Sequence, residues 1–158
     1  MKMIEVRQQN ELEAKIAESI FTAATNELRA IYRPVAMADD NLPVNSIKVV
    51  ATINDKVVGL AQYLIGTDSI KLSGLAVSPD YRRRGVAGAI VQYLVQEANN
   101  NRKADIVLGT IKETGNVDIF VRLGFTVIEE VIAEKFVGAC GDKVTLVTMR
   151  KIAQRIIE

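Results

Sequence analysis

Residues 75–88 read LAVSPDYRRRGVAG, and the chemistry of the chain is best approached from this stretch. An apolar strand ends at Val77, and a short loop leads from it into an amphipathic helix. Small residues open that helix and let a ligand approach the backbone closely: Gly85, Ala87 and Gly88. The first N–H groups of a helix have no internal partners and, with the helix dipole, attract anions. The stretch therefore predicts a pyrophosphate site.

The arginines at positions 82–84 admit two plain alternatives: a solvated basic turn, or a contact to nucleic acid. A helix start with small residues directly after them favours phosphate binding instead. The stretch is not a Walker A loop, because no Gly-Lys-Ser/Thr follows. It is not the Gly-x-Gly-x-x-Gly dinucleotide motif either, since its order from Arg82 to Ala87 is Arg-x-x-Gly-x-Ala.

Composition excludes several classes of site. The chain has 158 residues, no histidine and a net charge of +1. Ser-His-Asp and Cys-His catalysis and histidine-ligated metals are therefore excluded in cis. The single cysteine, Cys140, cannot form an internal disulfide or a cysteine-rich zinc site. A nucleic-acid-binding module is one possible function of the chain, and the near-neutral net charge argues against it.

The periodicity of the chain predicts one domain over residues 1–158, in the order β, α, βββ, α, β, α, ββ. We expect strands at 4–7, 47–53, 57–65, 70–77, 105–110, 126–137 and 144–149. We expect helices at 9–31 (one long helix or two consecutive ones), 86–99 and 117–123. The first helical stretch should end before Pro34. Asn54-Asp55 predicts a hairpin turn, and Gly124 a helix C-cap. These elements make a mixed α/β (α+β) sheet with helices on its faces.

The Arg82–Ala87 pattern, with the preceding Leu-Ala-Val-x-Pro strand and the later Leu123-Gly124-Phe125, resembles the GNAT superfamily of acyl-CoA-dependent N-acetyltransferases. The resemblance covers most of the chain. It implies a mostly antiparallel central sheet of about seven strands flanked by about four helices. It also implies acetyl-CoA as co-substrate, with no metal and an amine as acceptor.

The resemblance implies a set of cofactor-binding residues. Backbone amides from Arg83 to Gly88 would hold the CoA pyrophosphate, and the backbone of residues 75–77 would pair with the pantetheine arm. The set is Leu75, Ala76, Val77, Arg82, Arg83, Arg84, Gly85, Val86, Ala87 and Gly88. The strands before and after the helix at 86–99 would separate to admit the pantetheine arm. The first helix, the loop after Pro34 and the hairpin near Cys140 would shape the acceptor cleft.

The chain departs from the family where protons are transferred. Phe120 stands where many members have a tyrosine that protonates the leaving thiolate. The position of a pantetheine-binding asparagine falls by offset on Glu113, with Asn116 close by. Some members have a glutamate that acts as general base on the strand before the pyrophosphate site, but residues 71–74 of this chain contain no carboxylate. The catalytic residues are therefore unknown. A water chain could deprotonate the amine, another side chain could substitute, or catalysis could be slow. The candidate side chains are Tyr32, Tyr63 and Cys140.

The sequence thus predicts an N-acetyltransferase that moves an acetyl group from acetyl-CoA to a primary amine by direct attack in a ternary complex. The alternative is a catalytically weak acyl-CoA-binding domain with a regulatory or interaction role. We expect a cytoplasmic protein, because the start lacks the apolar run of a signal peptide and no membrane span is visible. No nucleic-acid or membrane partner is expected. By family analogy, the apolar C-terminal strand pair could support a homodimer.

Overall fold

A computed structural model describes residues 3–35 and 46–153 of the chain. Most of the loop expected after Pro34, residues 36–45, lies outside this range, so its part in shaping the acceptor cleft is not described. The strands are β1 Ile4–Gln8, β2 Tyr32–Pro34, β3 Ile47–Ile53, β4 Lys56–Ile65, β5 Ser69–Val77, β6 Asp105–Ile111, β7 Thr126–Gly138 and β8 Lys143–Ile152. The α-helices are α1 Ala14–Arg29, α2 Val86–Asn100 and α3 Asn116–Arg122.

The eight strands form one sheet in the order β1-β3-β4-β5-β6-β8-β7-β2. Every described pairing is antiparallel except that of β5 with β6, which the crossover through α2 makes parallel. The predicted class, a mixed and mostly antiparallel sheet with helices, is confirmed. The described residues contain eight strands and three α-helices, against about seven and about four expected. The stretch expected to be one or two helices, residues 9–31, forms a short 3₁₀ turn at Glu11–Glu13 and the single helix α1.

The extra strand is β2, in a segment expected only to end a helix. Helix α1 stops at Arg29, and Tyr32–Pro34 then pairs antiparallel with residues 136–138 of β7. The residue before a proline prefers extended backbone, and a proline is tolerated on an edge strand. Both preferences are met here. As a result Tyr32 is held on the sheet, with its ring edge-on to Phe136 at 5.4 Å between centroids.

Helices cover the two faces of the sheet. Alternate residues of a strand face opposite sides, so each strand contributes to both layers. On one face α1 packs, through residues such as Ala17 and Phe21, against Leu60 and Ala76. On the other, α2 buries its apolar stripe against β3, β4, β5 and β6. Tyr63 lies in this second layer, fully buried.

Strand β5 has a bulge in its pairing with β4, close to the point where β5 and β6 separate. Gln62 pairs with Gly74 and Tyr63 with Leu72, which leaves Ser73 as the extra residue. A bulge bends its strand and increases the local twist. The parallel ladder between β5 and β6 ends at Leu72 and Leu108, although both strands continue. The strands therefore diverge beyond this point, as the family resemblance implies.

An ion pair anchors the start of α1 to β1. Both guanidinium Nη atoms of Arg7 donate to the buried Glu13 carboxylate, at 2.6 and 2.5 Å. Glu13 Oε1 also accepts from the backbone N of Asn10, at 3.0 Å, in a capping box. The hydrogen bond from Arg7 holds the pKa of Glu13 below its ordinary value. The ion pair therefore stabilises the fold fully when the pH is above the ordinary pKa of glutamate. This stabilisation is lost as the pH falls through the lowered pKa of Glu13.

We expect Glu13→Gln to lower the urea midpoint of unfolding at pH 7, because the amide cannot replace both charge-assisted bonds. The exposed Glu11 in the same turn is the matched control, and Glu11→Gln should leave the midpoint nearly unchanged. The gap between wild type and Glu13→Gln should narrow as the pH falls through the lowered pKa of Glu13, because the carboxyl then becomes protonated. A gap that stays the same size down to strongly acidic pH would contradict this role for the ion pair.

Candidate active site

The start of α2 forms a nest of backbone N–H groups. Gly85, the N-cap, has φ +84°, and Arg83 also lies in the left-handed region at φ +63°. No side chain caps the helix, and Ala89 N donates to Gly85 O at 3.0 Å. The preceding N–H groups, from Val86 to Gly88, are thus free to bind an anion. This is the geometry that the small residues of the stretch predict.

Cations surround this nest, although one of them is already paired. Arg82 donates two 3.2 Å hydrogen bonds to the Glu27 carboxylate of α1, and its Nε donates to Val77 O at 3.2 Å. The pair is half-exposed, so its main effect is to fix the loop against α1. Arg84 packs over the ring of Tyr81, whose centroid is also 5.3 Å from Lys56 Nζ.

A groove of about 560 Å³ runs from this nest to α3. Its lining includes eight of the ten residues expected to bind the cofactor: Leu75, Val77, Arg82, Arg83, Gly85, Val86, Ala87 and Gly88. The backbone of residues 75–77 pairs with β4 on one side only, because the ladder with β6 has already ended. This strand edge can accept an extended ligand by strand-like pairing.

A second opening, the cleft, lies between α1, β5, β6 and the β7–β8 pair, with a volume of about 340 Å³. Aromatic and aliphatic side chains from all of these elements line it, among them Phe21, Leu28, Tyr32, Phe136 and Leu146. Close packing shapes its floor, because a Cβ on Gly74 would stand 2.9 Å from Phe21 Cε1. Glycine at this bulge therefore allows α1 to approach the sheet.

The groove and the cleft meet at three residues that line both: Leu75, Asn116 and Phe120. Leu75 belongs to β5, and Asn116 and Phe120 lie one turn apart on α3, both half-buried. Asn116, not Glu113, occupies the shared wall. Glu113 instead accepts a 2.8 Å hydrogen bond from Thr145 N. A ligand lying in the groove can thus present one end to a second molecule in the cleft.

Several sequence-predicted residues lie elsewhere. Ala76 faces α1 and lines the cleft instead of the groove, as strand alternation requires. Arg84 is not part of the groove lining. Tyr63 is fully buried, and its hydroxyl donates to Glu97 Oε1 at 3.1 Å; burial raises its pKa well above the ordinary value. Cys140 is exposed in the β7–β8 turn and lines neither opening. Of the three candidate side chains, only Tyr32 lines the cleft.

Sequence reasoning missed four groove residues: Tyr81, Ile119, Arg122 and Leu123. Three belong to α3 or its C-cap, and nothing local marks the face that α3 turns to the groove. For Tyr81 the signal was present, because an aromatic ring directly before three arginines can stack on a guanidinium. It also missed Arg29, in the last turn of α1, which lines the cleft.

Within 3–35 and 46–153, no group of three or more His, Cys, Asp or Glu side chains is placed to hold a metal ion. No described helix is long and apolar enough to cross a membrane.

Solved structures share this fold at low sequence identity. The ribosomal-protein-S18-alanine N-acetyltransferase of Escherichia coli superposes with a TM-score of 0.72 at 18% identity, covering 99% of this chain and 97% of that one. An aminoglycoside 6'-N-acetyltransferase complexed with coenzyme A gives 0.73 at 14% identity, with 98% and 99% covered. A Salmonella typhimurium protein solved with its cofactor acetyl-CoA gives 0.71 at 20% identity, with 98% and 96% covered.

The sequence itself carries the family assignment. No curated protein matches the chain in sequence. The family model described as "Acetyltransferase (GNAT) domain" matches residues 26–152, about four fifths of the chain. That span includes β5, the nest, α2 and α3. The chain therefore belongs to the GNAT family of acetyltransferases, the family that its Arg82–Ala87 pattern resembles.

Proposed function

We propose that the groove binds acetyl-CoA, that the cleft binds a primary amine, and that the acetyl group passes between them where the two openings meet. The observation that carries the proposal is the shared wall of Leu75, Asn116 and Phe120. Two sites joined at one wall allow both substrates to be bound together, so transfer needs no covalent enzyme intermediate. Holding the reactants in this geometry supplies much of the rate.

The residues present fit acetyl-CoA. The free N–H groups from Val86 to Gly88 suit the pyrophosphate, and Arg122 adds a cation on the facing helix. The unpaired edge of residues 75–77 suits the amides of the pantetheine arm. The Arg82–Glu27 pair positions the loop and leaves phosphate binding to the backbone. Binding there would direct the thioester towards Asn116 and Phe120.

The reaction requires a neutral amine in the cleft. Its nitrogen attacks the acetyl carbonyl carbon, a C–N bond forms, and the C–S bond breaks. One proton leaves the nitrogen and one reaches the departing thiolate, so the products are an amide and CoA thiol. General acid and base help in these transfers is worth about 10²–10⁴-fold in rate.

The lining of the described cleft contains no carboxylate to accept the amine proton. Tyr32 is the candidate that remains, since its ring lines the cleft and its hydroxyl has no hydrogen-bond partner among the described residues. Phe120 supplies no hydroxyl at the shared wall. We infer that solvent carries at least one of the two protons, and that turnover is slow for want of a built-in acid.

The proposal also covers the domain organisation, the cellular compartment and the oligomeric state of the protein. All described strands belong to one sheet, which supports treating the chain as one domain. A lone cysteine is compatible with the reducing cytoplasm. The outer part of β7 supports a homodimer, because Val131 and Ile132 are exposed there and β2 pairs only with residues 136–138.

The alternative of a CoA-binding domain without turnover is less favoured, because the cleft is open and joined to the groove. A test is CoA thiol release from acetyl-CoA with a panel of primary amines, and mass spectrometry of each acetylated product. We expect release above the amine-free rate for at least one class of amine. Tight CoA binding without amine-dependent release for any class would support the alternative.

A further inference from the structure

Arg29 is a cation in the cleft without a carboxylate partner. It lies in the last turn of α1 and is partly buried. Its guanidinium carbon is 5.2 Å from the centroid of the Tyr32 ring, and Nη1 makes one long hydrogen bond, 3.5 Å, to Tyr32 O. In the described part of the chain, no acidic side chain is within 4.0 Å of it, in contrast to Arg7 and Arg82. Most of its five N–H donors are therefore available to a ligand.

The rest of the cleft lining is uncharged. Among the described residues, Arg29 is the only charged side chain that lines it. Apolar side chains dominate, and the polar ones are hydroxyls and one amide: Thr25, Tyr32, Ser73, Thr110, Thr114 and Asn116. A volume of about 340 Å³ is at the lower end of the range for small-molecule sites, roughly 300–1,000 Å³. The cleft is thus compact, apolar and positive at one point.

We propose that the acceptor is an apolar amino acid, whose carboxylate is bound by Arg29 and whose side chain lies among the aromatic residues of the cleft. This inference rests on the proposed function. The planar guanidinium fork matches a carboxylate through two parallel hydrogen bonds, and the Tyr32 ring holds that fork in place. An acceptor with several ammonium groups would meet a cation and apolar walls, and no described carboxylate would balance its charge.

The same arrangement assists the chemistry. The carboxylate of a free amino acid stabilises its neighbouring ammonium group, and pairing that carboxylate with Arg29 cancels part of this effect. The pKa of the bound ammonium group is thereby lowered and the neutral fraction increased, which partly offsets the absence of a carboxylate base in the described cleft. The effect acts through the carboxylate, so an acceptor without one does not receive it.

The test compares matched acceptors with the full-length protein. L-leucine, L-methionine and L-phenylalanine are each assayed beside their C-terminal amides, with spermidine as the polycationic probe. The amide lacks the carboxylate and keeps the side chain. Its amine is also less basic, so a larger fraction of it is neutral and reactive, and without binding to Arg29 the amide would be the better acceptor. We expect the acids to give kcat/KM about tenfold or more above their amides, with spermidine lowest.

Arg29→Gln should lower kcat/KM for the best amino acid by about 10–100-fold, the effect of a lost charge-assisted pair. It should leave the amide within about twofold of wild type and CoA affinity unchanged. Arg33→Gln is the matched control, because Arg33 is exposed on β2 and does not line the cleft. That variant should keep the preference for the acid.

The outcomes separate the inference from the proposed function. If amides or spermidine are preferred while CoA still binds, the acceptor class is wrong and the proposed function stands. If Arg29→Gln affects acid and amide equally, Arg29 does not bind the carboxylate. If neither acids nor amides bind the CoA complex in calorimetry, the inference also fails. If the wild-type protein does not bind CoA, the proposed function itself is wrong.

Discussion

Gly85→Glu should weaken CoA binding by at least about 100-fold. Gly85 has φ +84° and opens the nest of N–H groups at α2. A glutamate there places a carboxylate where the pyrophosphate is expected, so it competes for the same donors and repels the ligand. Each charge-assisted hydrogen bond lost costs about 1.5–3 kcal/mol, and 1.4 kcal/mol is a factor of ten in affinity. Calorimetric titration with CoA measures the effect directly.

Two variants separate charge from backbone strain. Gly85→Ala introduces the strain of a left-handed non-glycine residue, about 1–3 kcal/mol in stability, without charge. Gly115→Glu adds the same charge and strain to the N-cap of α3, where a Cβ meets nothing within 4 Å and which does not line the groove. Both should retain CoA affinity within about fivefold, well short of the 100-fold loss. An unchanged affinity in Gly85→Glu would remove the nest from the account.

Phe120→Tyr should raise kcat by about 10–100-fold, within the range of general acid catalysis. Phe120 lines both the groove and the cleft, half-buried with its ring edge-on to Phe125 at 5.6 Å. A hydroxyl on this ring adds a proton donor at the wall where the thiolate is expected to form. The gain should fall away as the pH rises through the phenol pKa, about 10, because the ionised form cannot donate. Steady-state rates across pH measure both effects.

Phe136→Tyr is the matched control, since Phe136 lines the cleft but not the groove. The same hydroxyl in that position lies away from the shared wall, so it should not produce the gain of about 10–100-fold in kcat. If Phe120→Tyr shows no gain while both variants keep wild-type CoA affinity, proton delivery at this wall does not limit the reaction.

Local signals were enough to predict most elements. Asn54 and Asp55 both adopt positive φ in the β3–β4 turn, as their side chains favour, and Gly124 follows α3 with φ +97°. The nest at Gly85 was readable because it needs only a strand, a turn and a helix start that are adjacent in sequence. The groove residues on β5 and α2 followed from the same stretch.

Features that depend on distant contacts were not predictable. Strand β2 has three residues, too few for any periodicity, and exists through its pairing with β7. The bulge at Ser73 appears only when β4 and β5 are aligned. Asn116 reaches the shared wall because the turn at 112–114 sets where α3 begins. Arg29 enters the cleft because α1 crosses β5 at Gly74, a contact that no sequence spacing reveals.

We expect acetyl-CoA to bind at the nest and along the free edge of β5. Calorimetric titration of the purified protein with acetyl-CoA and with desulfo-CoA tests this binding, because desulfo-CoA keeps the pyrophosphate and the pantetheine arm but cannot react. We expect micromolar binding of both ligands, which corresponds to a binding free energy of about −8 kcal/mol. Binding of neither ligand would contradict it.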